Sequence, residues 1–136
     1  MLRAIILDKF NFKERVMFIE NAQQISDVIK NYFDGIFQGD VTLLRQVFHP
    51  RALLFGDVDG KSYEKNLEEY LNVVQNRDSP MKLGQTNCMN IVSIEILGNV
   101  SYAKLHVPIF DFNYYDFIAL NKINDKWWIV NKLFTS

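Results

Sequence analysis

Apolar residues early in the chain recur at intervals of three and four, the spacing that places them on one face of an α-helix. These positions are Ile25, Val28, Ile29, Tyr32, Phe33 and Ile36. Gly39 follows them and is a natural end for this helix, and Asp40 is placed to cap a second, short helix that continues to Phe48. Pro50 then prevents the second helix from continuing.

The middle of the chain predicts one strand, one turn and a third helix. Residues 52–55 form a short apolar strand, and residues 56–60 are rich in glycine and aspartate, which favour turns. Ser62 is placed to cap a third helix that ends near Asn76. The packing side of this helix consists of Tyr63, Leu67, Tyr70, Leu71 and Val74.

From Thr86 onward the hydrophobic pattern has a period of two, which is typical of β-strands. The predicted strands cover residues 87–97, 100–110, 114–123 and 126–134. Residues 98–99 and 124–125, Gly-Asn and Asn-Asp, tolerate positive φ and therefore predict two tight hairpins. Pro108 has no N–H to donate to its neighbours, so we expect a bulge or a sheet edge there.

Helices that precede an antiparallel sheet predict an α+β domain, in which three N-terminal helices pack on one face of a curved antiparallel sheet. A chain of 136 residues suits one hydrophobic core, and we assign residues 17–136 to a single domain. Residues 1–16 mix charged and apolar side chains without clear caps. This leader is a docking arm, a short helix or the product of an upstream start codon, and the sequence favours none of the three.

Composition narrows the possible partners. A net charge of -1 argues against a general affinity for nucleic-acid backbones, which needs clustered Lys and Arg. Cys88 is the single cysteine, so no intramolecular disulfide can form. No apolar run reaches the length that spans a membrane. We therefore expect a cytoplasmic protein with no nucleic-acid or membrane partner.

Four segments resemble the nuclear transport factor 2-like superfamily. They are Tyr-Phe-Asp-Gly-Ile-Phe-Gln-Gly-Asp at 32–40, Val-Phe-His-Pro-Arg-Ala at 47–52, Asp-Phe at 116–117 and Trp-Trp-Ile-Val-Asn-Lys at 127–132. The last two are most similar to the SnoaL-like, putative lumazine-binding subgroup. The resemblance implies a cone-shaped, cystatin-like half barrel with a cavity between helix and sheet, paired as a homodimer through the outer sheet face. Because this fold hosts enzymes, binding proteins and adaptors, function has to be argued from individual residues.

The ketosteroid isomerases of this superfamily imply three catalytic positions. Tyr32 matches the helix-one tyrosine that polarises the substrate oxygen, although a tyrosine at this spacing also suits a core. The general-base position falls on Gly56, and Asp57, one residue later, faces the other side of a strand. Asp116 approximates the third position, but it can equally be a partner of Lys132 or an exposed carboxylate. The catalytic candidates are thus Tyr32, Asp57 and Asp116, and steroid isomerisation is not expected.

The residues predicted to contact a ligand are Tyr32, Asn90, Trp127 and Asn131. The two asparagines lie on otherwise apolar strands, where they can bond a ligand or a structural water. Strict alternation places Trp127 with Asn131 on one face of the last strand and Lys132 with Trp128 on the other. Because both faces are partly apolar, we expect helices to cover one and a second subunit to cover the other.

The two histidines are not expected at the site. His49 lies at a helix end, where it can cap the last carbonyls. His106 lies on the strand face opposite Leu105 and Val107, so we expect it on the exposed face unless Pro108 reverses the alternation. The sequence contains no metal-ligand spacing and no phosphate-binding glycine motif, so neither a metal nor a cofactor is expected.

These observations predict a homodimeric pocket protein that binds a small apolar or aromatic molecule. One alternative is a cofactor-independent lyase or isomerase that uses Tyr32 with Asp57 or Asp116. Another is a non-catalytic adaptor that presents an exposed apolar patch to a protein partner. The sequence does not specify the ligand or whether it is transformed.

Overall fold

The computed structural model describes the backbone of residues 2–136 and the side chains of residues 11–136. The helices are α1 (Leu2–Gln38), α2 (Val41–Val47) and α3 (Leu67–Asn76). The strands are β1 (Phe48–Val58), β2 (Lys61–Asn66), β3 (Asn90–Leu97), β4 (Val100–Ile109), β5 (Phe112–Ile123) and β6 (Lys126–Thr135). The predicted α+β class is therefore confirmed.

All six strands belong to one sheet with the order β2-β1-β6-β5-β4-β3. Neighbouring strands are antiparallel, except that β1 lies parallel to β6. This parallel pair brings the end of the chain beside the segment that follows α2. The buried residues of the helices and of the inner sheet face form one core, which includes Ile25, Ile29, Tyr32, Ile36, Tyr70, Val74, Leu105, Ile118 and Ile129.

The junction between α1 and α2 forms as the sequence predicts. Gly39 has φ +69°, a conformation that favours glycine, and the N–H of Asp40 donates to the carbonyl of Gly35 at 2.9 Å. The Asp40 carboxylate then accepts the N–H of Leu43 at 3.0 Å and caps α2. A Cβ atom on Gly35 would lie 2.7 Å from the Leu44 side chain, so the glycine allows the two helices to approach closely.

The leader is continuous with the first helix, because residues 2–16 are part of α1. Every residue from 11 to 20 is exposed, including the large apolar side chains of Phe12, Phe18 and Ile19. Burial of α1 becomes regular only at Ile25, where the predicted periodicity begins. Met1 lies outside the described residues.

The start of the third helix is predicted wrongly. Ser62 is an exposed residue of β2, opposite Asp57 in β1. Asn66 is the cap instead: its side chain accepts the N–H of Glu69 at 2.9 Å, and the Glu69 carboxylate accepts the N–H of Asn66 at 3.0 Å. This reciprocal pair satisfies two N–H groups, whereas residues 61–66 satisfy theirs by pairing with β1.

The predicted hairpins at residues 98–99 and 124–125 are confirmed, since Leu97 pairs with Val100 and Ile123 pairs with Lys126. A further two-residue turn, not predicted, joins β4 to β5 at residues 110–111. Phe110 and Asp111 have φ values of 55° and 64° there, in the left-handed region that bulky side chains seldom adopt.

The expected edge at Pro108 is also confirmed. Strand β3 begins at Asn90, opposite His106, so Pro108 lies beyond the end of β3 and pairs only with β5. The alternation along β4 is not reversed: Leu105 and Val107 are buried and His106 is on the more exposed face.

Strand β6 contains a β-bulge that strict alternation does not predict. Ile129 and Asn131 oppose the consecutive residues Leu120 and Ala119 of β5, which leaves Val130 as the extra residue. Trp127 and Ile129 face the core before the bulge, and after it the buried positions are Lys132 and Phe134. The bulge therefore turns Lys132 inward.

We expect Asn66→Ala to lower the free energy of unfolding by about 1 kcal/mol, because the first turn of α3 would lose its side-chain acceptor. Ser62→Ala is the matched control, and its effect should stay within about 0.5 kcal/mol because Ser62 is an exposed strand residue. Urea unfolding followed by circular dichroism measures both. Equal effects of the two substitutions would contradict the assignment of Asn66 as the cap.

Candidate functional site

A cavity of about 90 Å³ lies between the inner face of the sheet, α1 and α3. Its lining comes from Ile36, Val58, Tyr63, Tyr70, Val73, Arg77, Val107, Ile109, Phe110, Tyr114, Asp116, Lys132 and Phe134. Aromatic and aliphatic side chains dominate this set, and only three of its members carry a charge. Such a lining, apolar with a few polar groups, is typical of small-molecule sites.

Asp116 is the buried acid of the cavity, with 1% of its surface exposed. The hydroxyl of Tyr32 donates a hydrogen bond of 2.5 Å to Asp116 Oδ2. The ammonium group of Lys132 lies 3.9 Å from the same oxygen, beyond hydrogen-bond distance. These three side chains come from α1, β5 and β6, so the polar cluster joins the first helix to the centre of the sheet.

Lys132 is surrounded by aromatic rings as well as by the carboxylate. Its Nζ lies 5.4 Å from the ring centre of Tyr32 and 4.9 Å from those of Tyr70 and Phe134. Aromatic ring faces attract cations, and the attraction is stronger where water is excluded. The rings therefore stabilise a buried ammonium that forms no hydrogen bond with a counter-ion among residues 11–136.

The hydroxyl of Tyr70 is the one buried polar side-chain atom without a hydrogen-bond partner among residues 11–136. Tyr70 is on the inner face of α3, is only 4% exposed and lines the cavity. A buried hydroxyl is costly to leave unpaired, by about 1–3 kcal/mol. An unpaired hydroxyl at a cavity wall is the kind of group that a polar ligand atom can satisfy.

The mouth of the cavity is formed by half-buried residues, among them Tyr63, Arg77 and Phe110. The Arg77 guanidinium lies over the ring of Phe110, 4.7 Å from its centre. The side chain of Gln85 accepts the N–H of Phe110 at 3.1 Å, which helps to hold this residue at its positive φ. The strained turn between β4 and β5 thus places an aromatic ring and a cation at the entrance.

Burial raises the pKa of three tyrosines at the cavity or next to it, Tyr32, Tyr63 and Tyr114. Desolvation, with a smaller contribution from Asp116, raises the pKa of Tyr32 well above its ordinary value. Desolvation also raises the pKa of Tyr63 to about 12 and that of Tyr114 above its usual range. The positive charge of Arg77 acts against burial and lowers the pKa of all three tyrosines.

Two of the three catalytic candidates come together. Tyr32 is fully buried and bonded to Asp116, and Asp116 faces the cavity next to Lys132. Asp57 is exposed, and its carboxylate accepts the N–H of Gly60 within the β1–β2 turn. The interior position is Gly56, where a Cβ atom would lie 2.6 Å from the ring of Phe134. An aromatic ring therefore occupies the space beside the expected base position.

None of the four ligand candidates is among the residues that line the cavity, and Tyr32 is connected to it only through the hydrogen bond to Asp116. Asn90 is exposed at the start of β3. Trp127 is buried, but its indole N–H donates to the side chain of Asn21 in α1 at 3.3 Å. Asn131 lies on the other side of the bulge and donates to the carbonyl of Leu53 at 3.1 Å. The bulge in β6 is the reason that Trp127 and Asn131 do not share a face.

Both histidines lie away from the cavity. The ring of His49 accepts the N–H of Arg51 at 3.0 Å and packs edge-on against Trp128, so it does not cap the carbonyls of α2. His106 stacks on Tyr115 and contacts the side chain of Asn113 on the other sheet face. In the described part of the chain, no three His, Cys, Asp or Glu side chains are grouped to hold a metal. No described helix is long and apolar enough to cross a membrane.

Several cavity residues are not predicted as ligand contacts, notably Tyr70, Arg77 and Lys132. The helical period places Tyr70 on the packing side of α3, but it does not show that the hydroxyl lacks a partner. Pairing of Lys132 with Asp116 is one of the alternatives open from the sequence, but strict alternation puts the lysine on the wrong face. A lysine within an apolar final strand is the signal that could have identified it.

We expect Tyr32→Phe to reduce stability by about 2 kcal/mol at neutral pH, because the buried Asp116 carboxylate would lose its hydrogen-bond donor. Above about pH 10, tyrosines ionise in the unfolded chain while Tyr32 stays protonated in the folded one, so stability falls as pH rises. The variant should lose stability less steeply in that window. Urea unfolding of the wild-type protein and the variant at neutral and alkaline pH measures both effects. An unchanged slope in Tyr32→Phe would contradict the prediction.

Comparison with known proteins agrees with this architecture. A family model described as "Putative lumazine-binding" matches residues 20–135. An NTF2-like protein of unknown function from Shewanella baltica is 26% identical, with a TM-score of 0.74 over 86% of this chain and 94% of that one. The corresponding protein from Methylobacillus flagellatus is 25% identical, with a TM-score of 0.76 over 86% and 92%.

An NTF2-like protein of unknown function from Silicibacter pomeroyi shares the fold at 16% identity, with a TM-score of 0.77 over 86% of this chain and 96% of that one. No curated protein matches the chain. Because the family model covers most of the sequence, the chain belongs to the "Putative lumazine-binding" family of the nuclear transport factor 2-like superfamily.

Proposed function

We propose that this protein binds one small, flat, largely aromatic molecule in the cavity between α1, α3 and the sheet. The observation that carries the proposal is Tyr70, which lines the mostly apolar cavity and whose buried hydroxyl has no hydrogen-bond partner among residues 11–136. The description of the family, which names a small aromatic heterocycle, is consistent with such a ligand.

The size and shape of the cavity limit the ligand. Its volume of about 90 Å³ is below the roughly 300–1,000 Å³ of sites for drug-sized molecules. Tyr63, Tyr114 and Phe134 pack edge to face around one side of it, with ring centres 5.0 and 5.9 Å apart. A small, flat ring system suits these walls better than a branched molecule.

The polar cluster favours binding over catalysis. A tyrosine that stabilises an oxyanion has to direct its O–H at the substrate, whereas Tyr32 donates to Asp116 and is fully buried. The space beside the expected base position holds the Phe134 ring. Among the described side chains that line the cavity, Asp116 is the one carboxylate that could accept a proton, and a lyase or isomerase would have to act through it.

We expect at least one member of a library of one-ring and two-ring aromatic compounds, lumazine included, to raise the melting temperature, because a ligand of the native state stabilises it. The amide signals of Tyr70, Tyr114 and Lys132 should shift in NMR spectra. Val73→Phe should abolish both effects by filling the cavity, whereas Val92→Phe, on an exposed position of β3, should not. Binding that persists in Val73→Phe, or no binding by any compound, would exclude this function.

We also propose that two copies pair through the outer face of the sheet, and that the protein acts in the cytoplasm. The outer face carries an aromatic array: Tyr102 stacks on Phe117 at 5.6 Å, and His106 stacks on Tyr115 at 4.8 Å. Tyr102 is nearly half exposed in the single chain. An exposed aromatic surface of this kind is typical of a protein interface.

Light scattering coupled to size-exclusion chromatography should give twice the chain mass of 16.0 kDa for the wild-type protein. Tyr102→Glu should shift the mass to that of one chain, because a carboxylate would be buried without a partner at the interface. Gln75→Glu makes the same charge change on the exposed side of α3 and should leave the dimer intact. A monomeric wild type, or a dimeric Tyr102→Glu variant, would argue against pairing through this face.

A further inference from the structure

We propose that the cavity selects an anion, a small molecule that carries a carboxylate or a similar oxyanion on a flat aromatic body. The inference rests on the proposed function, because it requires the cavity to be a ligand site, and it specifies the charge of the ligand. Three observations lead to it: the environment of Lys132, the unpaired Tyr70 hydroxyl and the charges that line the cavity.

Lys132 is a buried cation whose hydrogen-bonding capacity is not used by Asp116. Its ammonium group has three donors, and the Asp116 oxygen at 3.9 Å is too far away to accept one of them. The aromatic rings around Nζ stabilise its charge but accept no conventional hydrogen bond. A ligand oxyanion at the cavity wall would supply the missing acceptor, and a charge-assisted bond is stronger than a neutral one.

Tyr70 adds a second donor beside the lysine. Its ring centre is 4.9 Å from Lys132 Nζ, its side chain lines the same cavity, and its buried hydroxyl has no partner among residues 11–136. A hydroxyl can donate one hydrogen bond and a carboxylate has two oxygens to accept them. The two oxygens of one carboxylate could therefore receive Lys132 and Tyr70 together.

The charge balance of the cavity also favours an anion. Its lining holds two cations, Lys132 and Arg77, and one anion, Asp116, so the net charge of the wall is positive. Asp116 already accepts the Tyr32 hydroxyl and faces the lysine ammonium. Arg77, over the Phe110 ring at the mouth, adds a positive field along the entry path.

Benzoate, benzamide and benzylammonium test this charge preference, because they share one ring and differ in the charge of its substituent. We expect benzoate to bind about tenfold more tightly than benzamide, and benzylammonium to bind most weakly. Protein-observed NMR titration gives the three dissociation constants and shows whether the signals of Tyr70 and Lys132 move. If benzamide or benzylammonium binds as tightly as benzoate, or if benzoate does not bind, the anion preference is wrong.

Substitutions of Lys132 and Arg77 test whether these two cations cause the preference for benzoate. Lys132→Met should weaken benzoate about tenfold or more and leave benzamide nearly unchanged, and Lys132→Arg should restore part of the preference. Arg77→Gln, at a half-exposed position, should weaken benzoate several-fold and is the variant to use if Lys132→Met does not fold. Gln75→Glu, at an exposed position of α3 that does not line the cavity, is the control. Loss of benzamide binding in parallel with benzoate would show a structural effect and overturn the assignment.

These titrations distinguish an error in the anion preference from an error in the assignment of the cavity as a ligand site. Neutral or cationic aromatic compounds that shift cavity signals would overturn the anion preference and leave the pocket assignment intact. Absence of cavity binding by the whole aromatic library, as well as by benzoate, would overturn both.

Discussion

The buried carboxylate of Asp116 is the constraint on which the arrangement of this molecule depends. A carboxylate that is almost inaccessible to water has to be hydrogen-bonded or paired, because its desolvation is otherwise costly. Tyr32 supplies the hydrogen bond from α1, and Lys132 supplies the opposite charge from β6. The first helix, the central strand and the last strand are therefore held in one relative position, and the cavity lies beside their meeting point.

The bulge in β6 makes that arrangement possible. Without the extra residue at Val130, Lys132 would point to the outer face and Asp116 would have no cation beside it. The bulge also reverses the side-chain alternation at Phe134 and turns its ring inward. The ring fills the space beside Gly56 and forms an aromatic wall of the cavity. One inserted residue thus supplies both a charge and a ring to the cavity. It also places an aromatic ring beside Gly56, the position that corresponds to the base of the isomerases.

The sequence predicts most of the fold and a smaller part of the site. The helical period from Ile25, the cap at Asp40 and the turns at residues 98–99 and 124–125 are local signals, and each is confirmed. The prediction that Ser62 caps α3 is wrong because residues 61–66 pair with β1 instead of forming a helix. The local sequence does not show this pairing, because the partner strand lies elsewhere in the chain. At the site, the inward position of Tyr32 follows from helical spacing, whereas the inward position of Lys132 does not follow from alternation.

The amino-acid sequence by itself determined the class of fold and the buried faces of the helices, because these depend on periodicity, caps and turns within short segments. It also determined the family, through the resemblance of particular segments and the match to the family model. Only the tertiary structure decided which polar groups meet. Strand register depends on pairing between residues far apart in the chain, and a single bulge exchanges the two faces of a strand. For that reason Lys132, rather than Asn131, is the polar residue that β6 contributes to the cavity.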